Sequence, residues 1–346
     1  MMRFTTASAF VLIISTTVTF YSCEQVDRGT EARIPKGEIS LGGAISVATT
    51  NLPIGFLPKD IETAASSEIG LHLHACLLML DPNSLEVIPG LAESWSVDEN
   101  GTSYVFNLRK GAKFHADECF GRSSREITAH DFKFSFEQLC KNEVGSAFET
   151  SFRNRVEGSN AFHDGEANEI SGVTVIDDYT LKIELMKPDE TFLFVLAHPT
   201  TAVISEKALA KYGNNCTIGA GPFRLGSRED ALTLVRNPEY FLSDEFGNQF
   251  PYIDTLKVSV FDNKQAQLEA FFSGELDIVS GLYLDPVRTI LETQVASFSG
   301  KNPKYIMQRE SESIGYETYV IYRSNMTGLG NNFMGYRDFS RVQIQQ

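Results

Sequence analysis

The chain has 346 residues, 42% of them hydrophobic, which is enough apolar material for a sizeable core and for more than one domain. Its net charge of -15 favours solubility. An acidic surface of that size repels phosphate backbones, so nucleic-acid binding is a poor reading.

The first 22 residues differ from the rest. Arg3 is the sole charge before Glu24, and Ala9 to Phe20 is a run of apolar and small residues broken by Ser15, Thr16, Thr17 and Thr19. The run is too short and too rich in threonine to span a bilayer, and it has the layout of a secretory signal peptide. Ser22 precedes Cys23 and polar sequence follows, which resembles a bacterial lipobox; the resemblance implies that Cys23 is lipidated and becomes the mature N-terminus. The alternative is ordinary cleavage near Ser22 with Cys23 a plain thiol. Residues 24–37 are polar and read as a flexible tether.

Glu38 to Ala48 predicts an opening strand, with Ile45 and Val47 alternating with small neighbours. The Gly42-Gly43 pair early in it lacks the G-K-[ST] of a phosphate-binding loop and reads as a flexible point or bulge. A Pro- and Gly-rich loop follows. A helix is then expected over Ala64 to Leu80, where Ile69, Leu73, Cys76, Leu77 and Leu80 recur at helical spacing. Cys76 reads as a buried thiol on its apolar face. Asp81-Pro82-Asn83 makes a turn. Trp95 to Val97, the Asn100-Gly101 turn and Tyr104 to Leu108 predict a hairpin, with Tyr104, Phe106 and Leu108 on one face. Thr128 to Cys140 predicts a helix. Thr128 and Asp131 make a capping-box-like pair, and Phe132, Phe136, Leu139 and Cys140 form one stripe, which reads as core. Cys119 and Cys140 flank a loop and this helix, so export would permit a disulfide between them.

Val173 to Ile176, Asp177-Asp178 and Tyr179 to Leu185 predict a second hairpin. Gly221-Pro222 precedes a strand-turn-strand passage containing Leu232 and Leu234. Lys264 to Phe272 predicts a helix stopped by Gly274, followed by a strand from Asp277 to Val279. Helices and strands alternate irregularly, so the class is mixed α and β.

The six histidines form no metal motif. His72 and His74 are two apart, a spacing that points away on a helix, and His115, His130, His163 and His198 are scattered without H-E-x-x-H. No nucleophile elbow G-x-S-x-G is present, and Asp177-Asp178 reads as turn chemistry. The reading is therefore a protein with no catalytic residues, no metal and no cofactor.

Several segments resemble the family 5 extracellular solute-binding proteins of ABC importers, which bind oligopeptides, dipeptides or nickel. The strongest runs from Pro89 to Leu139. Within it Leu91, Ala92, Glu93, Ser94, Trp95, Gly101, Phe106, Leu108, Arg109, Lys113, Phe114, His115, Ala129, Asp131 and Ser135 fit the family pattern in order. A second match is Gly219-Ala220-Gly221-Pro222-Phe223, similar to the family's GTGPF with Ala220 in place of Thr, followed by Arg236-Asn237-Pro238-Glu239-Tyr240. A third comprises Pro251 to Leu256 and then Ala270 to Asp277. The stretch after Arg337-Asp338 resembles the start of a helix that family members continue well beyond this chain's end, so the chain reads as truncated.

The resemblance implies a mixed α/β, two-lobed fold of the type II periplasmic-binding-protein class with an incomplete second lobe. Residues 38–80 and 200–280 would form the lobe I core, 81–199 its subdomain, and 281–346 the start of lobe II. It implies an extended peptide, or another small solute, held in a cleft between lobes. Thr49, Thr50, Asn51 and Leu52 after the first strand, and Gly219, Ala220, Gly221, Pro222 and Phe223, would lie near that cleft; for the second group a purely structural turn stands as an equal alternative. The implied partners are ABC permease subunits and, through the N-terminal lipid, a membrane; the implied location is the periplasm. Rival readings are the same fold holding a nickel chelate, sugar or opine, and a surface lipoprotein with a chaperone or adhesin role.

Overall fold

The computed structural model describes residues 33–141, 147–229, 231–313, 316–330 and 337–345. The expected signal segment and Cys23 lie outside the described residues. In chain order the elements are β1 (Ala44–Thr49), α1 (Ala64–Leu73), β2 (Leu78–Leu80), β3 (Val87–Pro89), β4 (Ala92–Val97), β5 (Ser103–Leu108), α2 (Ala129–Cys140), α3 (Ala147–Ser151) and α4 (Ser159–His163). There follow β6 (Val173–Asp177), β7 (Thr180–Glu184), α5 (Phe192–Leu196), α6 (Glu206–Tyr212), β8 (Phe223–Ser227), β9 (Leu232–Arg236) and β10 (Thr255–Val260). The last are α7 (Lys264–Ser273), β11 (Ile278–Leu282), α8 (Leu284–Phe298), β12 (Tyr305–Ser313), β13 (Tyr316–Arg323) and the short antiparallel pair β14 (Met326–Thr327) and β15 (Gln343–Ile344).

A seven-stranded sheet in the order β12-β13-β11-β1-β10-β9-β8 forms the frame. The opening strand is its centre. β1 runs parallel to β10 on one side, from Ala44 opposite Thr255 to Thr49 opposite Val260, and to β11 on the other, Val47 opposite Ile278. It begins later than the sequence suggests. Gly42 and Gly43 take φ of +98° and +90°, a region that favours glycine. The turn they make sets the Gly43 carbonyl to accept from Asp254 N and Thr255 N at 2.9 and 3.2 Å. One face of the sheet buries Ile45, Val47, Leu234, Leu256 and Val258 with Ile69 and Leu73 of α1. The other buries Val279 and Ile321 with Leu268 and Phe271 of α7 and Val287 and Ile290 of α8.

α1 is shorter than its apolar spacing predicts. Thr63 caps it, its hydroxyl accepting from Ser66 N at 3.1 Å. It stops at Leu73, and His74 is already extended at φ −113° and ψ 167°. Leu77 and Leu78 remain fully buried, but in an extended segment, because β2 pairs with β3 around the Asp81 turn. A buried strand satisfies the same run of apolar residues that a helix would, so periodicity alone extends the helix too far.

Between α1 and β8 the chain builds a subdomain on a four-stranded antiparallel sheet, β4-β5-β7-β6. The β4–β5 hairpin forms as predicted, with Gly101 at φ +71° and the Asp98 carboxylate accepting from Thr102 N and Ser103 N at 2.8 Å each. Tyr104, Phe106 and Leu108 face inward together. Across them lies α2, whose start is held by Asp131; its carboxylate accepts from the Thr128 backbone N–H at 2.8 Å and from the Thr128 hydroxyl at 2.9 Å. Phe106, Phe132, Phe136, Phe152 and Phe192 are fully buried in one cluster, and Trp95 packs against it. Burying one such ring contributes about 2–3 kcal/mol relative to leaving it in water. The outgoing and returning segments are joined where Val203 N donates to the Ala75 carbonyl at 3.0 Å.

The expected Cys119–Cys140 disulfide is not formed; both thiols are free. Cys140 is fully buried in the aromatic cluster at the end of α2, its carbonyl accepting from the His163 ring at 3.0 Å. Cys119 sits just before Phe120 and packs beside Cys216 on the returning segment.

Within residues 281–346, expected to begin a second lobe, β12 and β13 extend the first sheet. β13 pairs with β11, Ile278 opposite Tyr322, and β12 pairs with β13. Ile321 packs into one face and Val320 and Tyr322 into the other, so the strand is covered on both sides like its neighbours. The ladder between β11 and β13 shifts register between Val279 and Leu282, where Gly281 takes φ +62°.

Candidate functional site

In open α/β sheets the crevice beyond the carboxyl ends of parallel strands is where ligands bind. Here β1, flanked by parallel β10 and β11, ends at such a crevice. A cavity of about 240 Å³ opens there, with Thr49 and Thr50 at the end of β1, Glu68 and His72 on α1, and Lys264, Gln267 and Arg337 on its walls.

The charged residues are held by one another. Arg337 donates to Glu68 Oε2 at 2.6 Å and to Glu310 Oε1 at 2.9 Å, and its side chain is 15% exposed. Gly281 N donates to the other Glu310 oxygen at 2.7 Å, so the irregular turn of β11 hangs on the same carboxylate. Burial works against the guanidinium charge, yet Glu68 and Glu310 together raise its pKa above the ordinary arginine value. Lys264 donates to the Ser280 carbonyl at 2.6 Å and to Gln267 Oε1 at 3.0 Å. Burial, aided by the Arg337 charge, lowers the Lys264 pKa.

Three lining groups have buried polar atoms with no hydrogen-bond partner among the described residues: Gln267 Nε2, Arg337 Nε and both ring nitrogens of His72. His72 stacks on Phe339 and meets the edge of Phe223, and burial lowers its pKa, so the ring is neutral. Buried N–H groups left without acceptors are costly, and a ligand or water carrying oxygen acceptors satisfies them. Such an arrangement can hold a polar molecule by hydrogen bonds.

Of the residues singled out in the sequence, Thr49 and Thr50 line the cavity. Asn51 is exposed; its carbonyl accepts from the Thr49 hydroxyl at 3.0 Å. Leu52 packs against the sheet core. The Gly219–Phe223 turn does not border the cavity, and all five residues are buried. Gly221 N donates to the Leu73 carbonyl at 3.0 Å, fastening the turn to the end of α1. A Cβ on Gly219 would lie 2.0 Å from the Leu73 carbonyl oxygen, and one on Gly221 2.4 Å from that of His72, so both glycines are needed for the close approach.

His115 locks this turn. Its Nδ1 accepts from Gly219 N at 3.3 Å and its Nε2 bonds the Gly221 carbonyl at 3.1 Å, while its backbone N–H donates to the Gly219 carbonyl at 2.8 Å. That pattern requires a neutral ring protonated on Nε2, and burial lowers its pKa to about 4. His72 and His74 diverge, the latter donating to the Phe56 carbonyl. Among the described residues no three His, Cys, Asp or Glu side chains are grouped to hold a metal.

Glu68, Lys264, Gln267 and Arg337 carried no sign of a site in the sequence. Glu68 and Arg337 are 269 positions apart and meet only through the fold.

The model of the bacterial extracellular solute-binding proteins, family 5 (middle), matches residues 86–326. The chain is similar to the dipeptide-binding protein of Escherichia coli, 28% identical over 282 residues that cover 78% of this chain and 49% of that protein. It is also similar to heme-binding protein A of Haemophilus influenzae, 24% identical, covering 86% of this chain and 55% of the relative. Among solved structures, a periplasmic oligopeptide-binding protein of Borrelia burgdorferi superposes with a TM-score of 0.65 at 24% identity, over 77% of this chain and 51% of that one. The chain spans about half the length of the curated relatives it matches.

Proposed function

Because the chain belongs to the bacterial extracellular solute-binding proteins of family 5, we propose that it is the substrate-binding component of an ABC importer and that its ligand is a short peptide. The observation that carries this reading is the cavity at the carboxyl end of β1, with Gln267 Nε2 and Arg337 Nε buried beside Thr49 and Thr50 and given no acceptor by the described residues. A peptide main chain supplies carbonyl oxygens at regular intervals whatever its side chains, which suits such donors. The dipeptide-binding relatives support the choice of ligand. In this reading Thr49 to Leu52 border the ligand, and the Gly219–Phe223 turn supports the cleft from within.

Isothermal titration of the chain with a mixture of di- and tripeptides is expected to release heat, and Gln267→Ala to weaken it. No heat with any peptide, together with a co-purifying non-peptide in native mass spectrometry, would transfer the assignment to another solute. The heme-binding relative keeps that second reading open.

We further propose export to the periplasm, with Cys23 lipidated and the polar residues after it serving as the tether. Mass spectrometry of the mature N-terminus is expected to find an acylated Cys23, and Cys23→Ala to release the protein from the membrane fraction. An unmodified terminus cleaved elsewhere would sink the anchor and leave solute binding untouched.

A further inference from the structure

Four cysteines lie among the described residues, and their surroundings sort them into two kinds. Cys76 donates its thiol to the His198 carbonyl and is buried away from the other three. Cys140 is fully buried among aromatic rings. Cys119 and Cys216 differ, because they pack into the same small cluster with Leu57, Ile204 and Ala208.

Two polar contacts fix these segments against each other. The Asp117 carboxylate accepts from Cys119 N at 2.8 Å and from the Tyr212 hydroxyl at 2.7 Å, so one group grips both sides. Lys211 donates to Glu118 at 2.7 Å across the same seam. A tight turn then brings the chain back to Cys216, whose N–H donates to the Gly213 carbonyl at 3.1 Å.

We propose that Cys119 and Cys216 are a disulfide-forming pair that staples the segment between β5 and α2 to the segment returning from the subdomain. The co-reactant is a disulfide, either of a protein oxidase or of a small thiol. The Cys119 thiolate attacks one sulfur of that disulfide, forming a mixed disulfide and releasing one thiol. The Cys216 thiolate then attacks Cys119 Sγ and releases the second thiol. Two protein thiols are oxidised, two oxidant sulfurs are reduced, and the two protons pass to the released thiols. Half-buried Cys119 is the sulfur an oxidant reaches, and Cys216, 2% exposed, is the resolving partner. Burial, with smaller contributions from Asp117 and Cys216, pushes the Cys119 thiol up to about 12. The uncatalysed reaction is therefore slow at neutral pH and accelerates as pH rises.

The bond would close a loop of roughly a hundred residues that contains α2, β6, β7 and α5 but not the β4–β5 hairpin, which restricts the unfolded chain. It is independent of the ligand, so its failure would leave the binding reading intact.

The test is incubation of the full chain with oxidised glutathione at mildly alkaline pH, then denaturing alkylation and peptide mapping. The expected product is a cross-linked peptide joining Cys119 to Cys216, with Cys76 and Cys140 alkylated. Reduction of that product is expected to lower Tm by several degrees. Cys119→Ser and Cys216→Ala should abolish this reductant-dependent shift, and Cys140→Ser should keep it. A Cys119–Cys140 cross-link, glutathione remaining on Cys119 with no cross-link, or four unreacted thiols would each overturn the pairing. Because the shift compares oxidised and reduced forms of each variant, a general loss of stability in a variant does not imitate it.

Discussion

The aromatic subdomain and the cavity at the end of β1 are built in opposite ways. The subdomain is assembled from near neighbours: two hairpins, one capped helix and a run of phenylalanines closing on themselves within residues 92–197. The cavity is assembled from β1, α1, β10, α7, Ser280 of β11 and Arg337, which are far apart in the chain. One region is held by apolar area and the other by charge, so they should fail differently. Damage to the subdomain should cost stability and spare the ligand, whereas damage to the cavity should cost the ligand out of proportion to stability.

The largest effect should come from Phe136→Ala. Phe136 is fully buried and meets Phe132 and Phe152 at ring separations of 5.8 and 4.9 Å. Removing the ring leaves a cavity in a dense core and is expected to destabilise by about 4 kcal/mol in denaturant unfolding. A loss under 1 kcal/mol would mean that the aromatic cluster is not the core of this region.

This contrast also explains what the sequence can tell. The Thr128–Asp131 cap and the Asn100-Gly101 turn act within four residues, and the structure contains both. Phe106 and Phe136 announce themselves through periodicity. The overextended first helix fails for the same reason that these succeed: Leu77 and Leu78 are apolar and buried, and periodicity cannot say whether the buried element is a helix or a strand. Thr49 and Thr50 were legible through resemblance. Glu68, Lys264 and Arg337 were not, since a charged residue reads as a solvated surface until the fold brings its partners to it. His115 looked scattered because both groups it binds are more than a hundred positions away.

Arg337→Ala tests the charged region directly. It strands Glu68 and Glu310 with no counter-charge, and breaking a buried pair in this way costs about 3–4 kcal/mol. Ligand affinity should fall in the same variant. Adding Glu68→Gln and Glu310→Gln should restore part of the stability without restoring binding. Full recovery of both in the triple variant would show that Arg337 serves only to neutralise the carboxylates.

Acid should act on the seam between the two regions, where His115 locks the Gly219–Phe223 turn. The unfolded ring has the ordinary pKa of 6.5, and the folded one is held at about 4. Between those values the unfolded state takes up a proton that the native ring refuses. Stability from this group is therefore complete above pH 6.5 and declines as pH falls toward 4, by up to about 3 kcal/mol. His72, His74 and His198 are lowered by burial as well and add in the same direction. His115→Gln should be less stable at pH 7.5 and lose less on acidification. An unchanged acid slope would remove His115 from this role.

The smallest effect is the sharpest test of the comparison. Lys264 lines the cavity, donates among the described residues to the Ser280 carbonyl and the Gln267 amide oxygen, and is the first residue of α7. Burial lowers its pKa from the ordinary lysine value. Lys264→Met keeps the length and the apolar stem, so the fold should lose less than about 1 kcal/mol, within the range of a single hydrogen bond. Binding should weaken about tenfold, because a charge-assisted donor to a ligand oxygen is worth about 1.5 kcal/mol or more. The informative quantity is the ratio of the two losses. A variant that binds as before but unfolds more readily would mean that Lys264 braces the β11 turn and never meets the ligand, and the cavity would then share the structural character of the subdomain.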